Sequence, residues 1–476
     1  MHEALALLVD LEPEHLQSLL AAGSERELHR EDVVIAEGEH PEHLFIVLEG
    51  LFEVRLDAAA GHRLGVLGPG ELLGEVSWLE QRSASATVRT VEDGVLLALP
   101  RARLQQLCDD NPALGLALHR ALGRVLARRL RERSDELALR TMEPTTVEGL
   151  GPWKQLSPAI DQLKGLMQQA EQATHGKDAV PVEQFVDVTH QGLGGLCDLL
   201  TEHLGEASGI DPNLADEVGA LARRELHPYM LLTRIVERIY TKPRGYAGDF
   251  LTIEWMYANE VATASTAGRL IDTAFLERPA ARAVRNRRGL LAGEIANAVK
   301  QGGQVTSLAC GPAEELFDVF ASLDDKSVLK ATCLDIDLQA LALVSDRRDR
   351  EGLARQMRLE QANLVYMATG RAQLDLEPQQ LIYSIGLIDY FQDRFVIALL
   401  DWIHERLAPG GKVVLGNFHP SNPDKALMDH ILDWKLIHRD EADMNRIFEA
   451  SSFAAPCDEI RFEEAGVNLF AMGVRR

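Results

Sequence analysis

Residues 305–337 hold two apolar runs that each end in a turn, and this pairing constrains the fold more than any other feature of the chain. The first run, residues 305–308, passes into a turn of small residues, Ala309 to Ala313, and then into a helical pattern over 314–322. The second run ends at Asp335. Small residues let a backbone approach a ligand closely, and an acid after the next strand can accept hydrogen bonds from both hydroxyls of a ribose. The pair predicts two parallel strands whose carboxyl ends hold a ligand that contains adenosine.

Two further segments extend this pattern towards the end of the chain. Residues 381–390 have the pattern of a third strand that runs into a Ser-Ile-Gly turn, and residues 407–417 combine a helix end, a Pro-Gly-Gly turn and another strand. A dehydrogenase of the dinucleotide-binding type is the alternative, but no G-x-G-x-x-G follows any of these strands.

The order of these motifs over residues 280–476 resembles the class I S-adenosylmethionine-dependent methyltransferases and favours that family over a dehydrogenase. The match departs from the family pattern at Ser307, where an acid is common, and at Ala309 and Ala313, where glycines are common. The resemblance implies a C-terminal α/β Rossmann-like sheet, S-adenosylmethionine as the cofactor, Asp335 as the ribose-binding acid and no metal site. It also implies cofactor contacts from the first turn and from residues after the later strands: Ala309, Cys310, Gly311, Pro312, Ile336, Asn363, Ser384 and Gly386.

The N-terminal part of the chain has a different pattern. Short apolar runs alternate with turn residues over residues 1–100, which predicts an antiparallel barrel or jelly roll with flanking helices. Segments 44–50 and 69–75 resemble the cyclic nucleotide-binding domain family, so residues 1–140 are expected to form such a domain.

The phosphate-binding segment of that domain departs from the family pattern. Binding members follow a Gly-Glu pair, here Gly74-Glu75, with an arginine that pairs with the cyclic phosphate. Ala84 occupies that position in this chain, and Arg82 falls two residues early. Because a guanidinium fork depends on geometry, a ligand-free regulatory or dimerisation domain is favoured over a cyclic-nucleotide sensor.

The middle of the chain separates these two domains. Pro and Gly punctuation over residues 141–158 predicts a linker, and helical spacing without a strand pattern predicts a helical cap over 159–279.

One loop in the cap is too rich in functional residue types for an ordinary turn. Residues 240–250 combine two glycines with Pro, Arg, Tyr and Asp. A helix–helix connection with glycines at positive φ is the alternative, but a lid over the cofactor is favoured, in which Tyr246 covers the ligand and Asp249 or Arg244 reaches its charged ends. Downstream, Arg285 is expected to pair with the methionine carboxylate of the cofactor, unless it belongs to a solvated basic helix.

The methyl acceptor is sought among residues that could orient or deprotonate it. Segments 242–249, 417–422 and 434–439 resemble bacterial methyltransferases that form methyl esters of 3-hydroxy fatty acids. The resemblance implies a small acyl-chain substrate whose carboxylate is oriented by Tyr390, His419 and Arg439. A carboxylate is already ionised at pH 7 and needs no strong base. The rival class is a non-catalytic scaffold that responds to a cyclic nucleotide or to S-adenosylmethionine.

Composition limits the partners. The net charge of −24 argues against a nucleic-acid partner, and the basic stretch 120–133 is better explained as the solvated face of a helix than as a polyanion site. No apolar run approaches the roughly 18 residues of a membrane span, and the N-terminus lacks the basic start of a signal peptide, so a cytoplasmic protein is expected. Five scattered cysteines predict free thiols. A homodimer is expected to form through the N-terminal domain and its C-terminal helix.

Overall fold

The computed structural model describes residues 13–57, 62–68, 71–123, 125–126, 151–174, 179–263 and 265–476. Its elements fall into the three predicted regions: an antiparallel β sandwich, a group of helices, and a mostly parallel sheet covered by helices.

The N-terminal sandwich consists of two four-stranded antiparallel sheets, which confirms the predicted antiparallel β architecture with flanking helices. The strand orders are β1-β8-β3-β6 and β2-β7-β4-β5. The elements are α1 (Pro13–Ala22), β1 (Ser24–Leu28), β2 (Val33–Ile35), β3 (His43–Glu49), β4 (Phe52–Leu56), β5 (His62–Leu67), β6 (Leu72–Leu73), α2 (Glu75–Glu80), β7 (Thr87–Thr90), β8 (Gly94–Pro100), α3 (Arg101–Asp110) and α4 (112–123).

Strand β3 is buried on both faces. Phe45 and Val47 point into the core between the two sheets of the sandwich. Leu44, Ile46 and Leu48 point the other way, because successive side chains of a strand alternate, and they belong to a second apolar cluster. That cluster also contains residues 364–367 of the C-terminal domain, so the sandwich and the C-terminal domain share one continuous core.

The middle region is helical, as predicted, and the structure shifts its start. Residues 151–158, predicted as linker, form the first turns of a helix in which Pro158 is accommodated, while 141–150 lie outside the described residues. The helices are α5 (Gly151–Ala173), α6 (Val186–Leu204), α7 (Pro212–Met230), α8 (Arg234–Thr241), α9 (Phe250–Ala258), α10 (Thr266–Leu276) and α11 (Pro279–Val299), with short 3-10 turns at Val182–Phe185 and Glu206–Ser208.

The C-terminal domain contains a seven-stranded sheet of order β11-β10-β9-β12-β13-β15-β14. Its elements are β9 (Gln304–Leu308), α12 (Glu314–Ser322), β10 (Lys330–Asp335), α13 (Leu338–Arg350), β11 (Met357–Gln361), α14 (Leu364–Ala368), β12 (Gln379–Ile385), α15 (Asp393–Arg406), β13 (Leu407–Phe418), α16 (Lys425–His430), α17 (Glu441–Glu449), β14 (Glu459–Phe462) and β15 (Asn468–Val474), with 3-10 turns at Lys326–Val328 and Ile388–Tyr390. Strands β9 to β13 pair in parallel, and β15 is antiparallel to β13. This is the Rossmann-like sheet that the motif order predicts.

The strand order fixes where a ligand can bind. The chain leaves β9 towards β10 on one side and returns to β12 on the other side. Helices therefore diverge at the carboxyl ends of β9 and β12 and open a crevice at this switch point.

The predicted basic face and the predicted dimerisation face of the helix after α3 fall partly outside the described residues. Of the basic stretch 120–133, residues 124 and 127–133 are not described. The apolar face of the same helix is described in part, and Leu118, Leu122 and Val125 pack in the shared core of this chain. Dimerisation through that face therefore has no support from the packing.

Within the described residues, no helix is both long and apolar enough to span a membrane.

Candidate active site

A cavity of about 610 Å³ lies at the carboxyl ends of β9, β10 and β12, at the switch point of the sheet. Its volume is within the range of roughly 300–1,000 Å³ that is typical of small-molecule sites. Its lining includes the strand-end turns, helices α9 and α11, the loop before α9, and the N-terminal sandwich.

The turn after β9 has the backbone conformation of a ligand-binding turn. Ala309, Gly311 and Ala313 all have φ near +52°, in the left-handed region that disfavours side chains. No atom lies within 4 Å of the position that a Cβ of Gly311 would take, so this part of the turn faces open space. The two alanines keep the conformation that glycine more commonly supplies, because alanine is the smallest residue with a Cβ.

Asp335 connects the ends of β9 and β10. Its Oδ2 accepts a hydrogen bond from the backbone nitrogen of Gly311 at 2.9 Å, and its Oδ1 accepts one from the backbone nitrogen of Asp337 at 2.9 Å. Burial raises the pKa of the Asp335 carboxyl to about 6, although these backbone donors favour the ionised form. Both oxygens retain lone pairs for two further donors, as the vicinal hydroxyls of a ribose would be.

Arg287 is a buried cation in the lining of the cavity. It lies on α11, is 4% exposed, and donates a hydrogen bond from Nε to the hydroxyl of Tyr257 at 3.3 Å. A methyl group added at Gly386 would lie 3.0 Å from its Nη1, so the guanidinium sits against the turn after β12. Among the described residues it forms no ion pair with a carboxylate. Burial raises the pKa values of the Glu315 and Asp389 carboxyls of the same cavity, and both are close enough for the charge of Arg287 to oppose that shift, but neither binds its guanidinium directly. The guanidinium can therefore still bind an anionic ligand group.

The predicted lid loop lies against the cavity. Tyr246 and Gly248 line it, and the Tyr246 ring meets the Tyr390 ring edge-on at 6.4 Å between centroids. A Cβ on Gly248 would lie 2.9 Å from Trp434 and 3.0 Å from the hydroxyl of Tyr390, so this position requires glycine. Tyr390 in turn accepts a hydrogen bond from the Trp434 indole at 2.9 Å. The loop is thus closed onto aromatic side chains of the C-terminal domain.

Apolar side chains dominate the part of the cavity beside this loop. They are Phe250, Ile253, Val284, Phe418, Trp434 and Leu436. Asp389 also lines this part and accepts a hydrogen bond from the backbone nitrogen of Phe418 at 2.7 Å. Burial raises the pKa of the Asp389 carboxyl to about 6.

The structure brings most of the predicted site residues together around the cavity. Ten of them line it: Tyr246, Ala309, Cys310, Gly311, Pro312, Asp335, Ile336, Asn363, Gly386 and Tyr390. Asn363 also caps α14, since its side-chain oxygen accepts a hydrogen bond from the backbone nitrogen of Val365 at 3.0 Å.

Three predicted cofactor residues lie outside the cavity lining and have structural partners instead. Asp249 is fully buried, caps α9 through the backbone nitrogen of Thr252, and pairs with Arg238 at 2.7 Å. Arg285 donates to the backbone oxygen of Leu276 and pairs with Glu277. Ser384 donates to the backbone oxygen of Leu308 and so joins β12 to β9. The geometry corrects the expectation that these three side chains contact the cofactor.

Two predicted catalytic residues also lie outside the cavity lining. His419 lies beyond β13 and contacts Ser421 at 2.6 Å and Glu441 at 3.2 Å. Arg439 is 1% exposed, and its guanidinium binds Asp393 together with backbone oxygens at 388 and 391 and the side chain of Asn417. Both positions correct the expectation that these residues touch the acceptor. Of the predicted catalytic residues, only Tyr390 lines the cavity.

Arg287 is a buried residue of the cavity lining that the sequence interpretation missed. The buried positions of α11 include Val284, Arg287, Leu291, Ile295 and Ala298, which recur at the spacing of one helix face. A charged residue on an otherwise apolar stripe was the available signal.

The N-terminal domain contributes a wall of the same cavity. Residues 46–50 of β3 and its following turn, with Arg30, Glu92 and Asp93, line it. The phosphate-binding segment of that domain agrees with the predicted departure from the family, because Ala84 is 7% exposed in the sandwich core and Arg82 is exposed.

Comparison with known families agrees with this division of the chain. Residues 25–111 match the family described as "Cyclic nucleotide-binding domain", and residues 245–472 match the family described as "Putative methyltransferase". The chain thus carries an N-terminal cyclic nucleotide-binding domain and a C-terminal domain of that methyltransferase family. The second match begins at residue 245, so it includes most of the lid loop and helices α9 to α11.

Individual relatives resemble only part of the chain. The Cyclic AMP receptor protein of Thermus thermophilus is 36% identical over 136 residues, which are 28% of this chain and 61% of the relative. A CRP-like cAMP-activated global transcriptional regulator of Mycobacterium tuberculosis is 28% identical over 143 residues, 29% of this chain and 62% of the relative. The chain therefore spans about three fifths of the length of these curated relatives. A solved structure described as a possible exported protein from Bordetella parapertussis aligns with 70% of this chain and 99% of its own length, at 20% identity and a TM-score of 0.43.

Proposed function

We propose that the cavity binds S-adenosylmethionine and that the C-terminal domain transfers its methyl group to a small acyl-chain carboxylate. The observation that supports this most directly is that Asp335 and Arg287 both line one cavity. Asp335 offers two acceptors to a ribose, and Arg287 offers a carboxylate a buried guanidinium that no carboxylate binds directly. A nucleoside that carries an amino acid, such as S-adenosylmethionine, presents both partners.

The residues present fit that cofactor. The turn at Gly311 leaves room for a ligand beside the backbone, and Ile336, Asn363 and Leu364 are lining residues that offer apolar and amide groups to an adenine ring. When bound, the cofactor supplies an electrophilic methyl group on a sulfonium. The chain contributes positioning: Asp335 would hold the ribose of the cofactor, and Arg287 would hold a carboxylate beside it.

The apolar part of the cavity suits a carboxylate acceptor on an aliphatic chain. A bond forms between a carboxylate oxygen and the methyl carbon, the bond from carbon to sulfur breaks, and no proton moves. Because an anion and a cation become two neutral groups, surroundings of low polarity favour this step. Phe250, Ile253 and Leu436 provide such surroundings. Tyr390 and Tyr246 lie where they can orient the acceptor, whereas His419 and Arg439 do not.

Arg287 can bind either the carboxylate of the cofactor or the carboxylate of the acceptor. Cofactor affinity and the KM for the acceptor distinguish these two roles. If Arg287 binds the methionine carboxylate, Arg287→Gln raises the dissociation constant for S-adenosylmethionine. If it binds the acceptor, the same substitution leaves cofactor affinity unchanged and raises KM for the acceptor. Arg285→Gln is the matched control, because this neighbouring arginine of α11 lies outside the cavity lining.

The test of the function is direct. The full chain is first titrated calorimetrically with S-adenosylmethionine and with S-adenosylhomocysteine. It is then incubated with S-adenosylmethionine and 3-hydroxy fatty acids of increasing chain length, and methyl esters are measured by mass spectrometry. Ester formation that requires Asp335 supports the proposal. Absence of cofactor binding refutes the activity, and binding without any ester refutes the acceptor.

A hydroxyl acceptor is the second candidate, and Asp389 favours it. Its carboxyl lines the acceptor end of the cavity, and burial raises its pKa to about 6, close to the value that suits a general base at neutral pH. A hydroxyl acceptor must lose a proton, so turnover would fall below pH 6 and Asp389→Asn would abolish it. A carboxylate acceptor loses no proton during methyl transfer. With such an acceptor, Asp389→Asn should therefore reduce turnover far less.

We further propose that the N-terminal domain regulates the enzyme without binding a cyclic nucleotide, because Ala84 cannot supply a guanidinium to the phosphate. Self-association through this domain remains an expectation, and sedimentation velocity of the full chain measures it.

A further inference from the structure

The N-terminal domain does more than adjoin the cavity; it supplies part of its wall. Residues 46–50 and the turn between β7 and β8 line the same space as Asp335 and Arg287. The apolar side of β3 belongs to one cluster with residues 364–367, so this wall is fixed by shared packing rather than by surface contact alone.

A chain of polar contacts connects this wall to the ribose-binding acid. The guanidinium of Arg244, in the lid loop, pairs with both carboxylate oxygens of Asp337 at 2.8 and 2.9 Å, and with Glu92 of the N-terminal domain at 3.1 Å. The backbone nitrogen of Asp337 donates to Asp335. Four residues in direct contact therefore join the N-terminal domain to Asp335.

Backbone packing reinforces the same contact. Gly68, between β5 and β6, lies against the lid loop, and a methyl group added there would be 3.6 Å from the Cα of Gly245 and 3.8 Å from the backbone oxygen of Arg244. The N-terminal domain thus holds both the side chain and the backbone of the loop that closes the cavity.

We propose that the N-terminal domain is a structural part of the cofactor site and that the contact of Glu92 with Arg244, which also pairs with Asp337, is a latch that sets the rate at which cofactor and product exchange. This inference rests on the proposed binding of S-adenosylmethionine. When the latch opens, the lid loop loses the ion pair that ties Arg244 to the N-terminal domain, and the loop can move away from the wall formed by residues 46–50. The domain would then control turnover through exchange rather than through chemistry.

The test compares latch variants with a matched control in the full chain. Glu92→Gln removes the charge that holds Arg244, and Glu92→Lys replaces it with a repulsive charge. Glu53→Gln is the control, because Glu53 pairs with Arg55 at 3.1 Å inside the N-terminal domain and does not line the cavity. The dissociation rate of S-adenosylhomocysteine is measured by displacement, and hydrogen exchange is measured for residues 46–50 with and without it.

We expect Glu92→Gln to raise the dissociation rate by about two- to fivefold, as for the loss of one partly exposed ion pair, and Glu92→Lys to raise it further. Bound S-adenosylhomocysteine should protect residues 46–50 from exchange in the wild type, and less so in Glu92→Lys. Glu53→Gln should behave as the wild type.

The outcomes separate this inference from the proposed function. If the wild type binds S-adenosylhomocysteine but both Glu92 variants release it at the wild-type rate, the latch is refuted while the cofactor assignment stands. Unchanged exchange of residues 46–50 on binding refutes the shared wall. If the wild type binds neither form of the cofactor, the proposed function and this inference both fail.

Discussion

Substitution of Asp335 by Asn tests the cofactor site most sharply, because it keeps the shape of the side chain and removes its charge. Each carboxylate oxygen accepts one backbone hydrogen bond and has a lone pair left for a ribose hydroxyl. The amide keeps one such acceptor and replaces the other with a donor. One ribose hydroxyl therefore loses its acceptor, and the other keeps an acceptor that is no longer charged.

The expected loss of affinity follows from that count. A hydrogen bond to a charged group contributes about 1.5–3 kcal/mol, which corresponds to a roughly 10- to 150-fold weaker affinity for S-adenosylmethionine. The backbone donor that faces the new amide is unsatisfied in the free and bound states alike, so it affects stability rather than affinity. Isothermal titration of the full chain at pH 7.5 measures the difference.

The pKa of Asp335 adds a second readout. Burial raises it to about 6, so the carboxyl is ionised at pH 7.5 and becomes protonated as the pH falls through 6. Protonation removes an acceptor, and wild-type affinity should therefore decrease from pH 7.5 to pH 5. Asp335→Asn should lose this part of the pH dependence. Asp346→Asn, an exposed substitution on α13, makes the same charge change and should keep it. Wild-type affinity and an unaltered pH profile in Asp335→Asn would refute the assignment.

Four further expectations follow from the geometry. Cyclic AMP and cyclic GMP should not bind the full chain at micromolar concentration in calorimetry, and binding that Arg82→Ala abolishes would contradict this. Tyr246→Ala should weaken cofactor binding with little change in the melting temperature of the free protein; global unfolding would instead make Tyr246 a core residue. Arg439→Ala should lower the free energy of unfolding by about 3–5 kcal/mol in denaturant titration, since it leaves Asn417 and two backbone oxygens without their buried donor. Gly248→Ala should reduce turnover, because its Cβ would collide with Trp434, and an unaffected rate would show that the loop can move aside.

The sequence predicted the sheet and the position of Asp335 at its carboxyl edge because these depend on local patterns. A strand, a small-residue turn and a helix follow one another at 305–322, and the acid closes the next strand, so topology alone places Asp335 at the carboxyl edge. No long-range information was needed for either feature.

The sequence misplaced side chains whose contacts depend on the direction in which each side chain points rather than on the order of helices and strands. Arg285 and Arg287 are two positions apart on α11, which is about 200° around a helix, so one faces the cavity and the other faces the end of α10. His419 follows a strand at the functional edge, as predicted, but its ring contacts Ser421 and Glu441 rather than the cavity. Strand order places a residue at an edge, whereas only the packed structure shows where its side chain points.

The interface between the two domains corresponds to a feature of the sequence, an apolar run in β3 that lacks the usual alternation of apolar and polar residues. A sheet with one solvated face has strands that alternate between apolar and polar residues, whereas residues 44–48 are apolar without interruption. Phe45 and Val47 fill the core of the sandwich, and the alternate residues Leu44, Ile46 and Leu48 enter the core shared with the C-terminal domain. Because Ile46 and Leu48 also line the cavity, the contact that covers this unbroken run also builds a wall of the cavity. The enclosure of the cavity and the stability of the domain interface therefore depend on one strand, and a substitution on this face of β3 should disturb both.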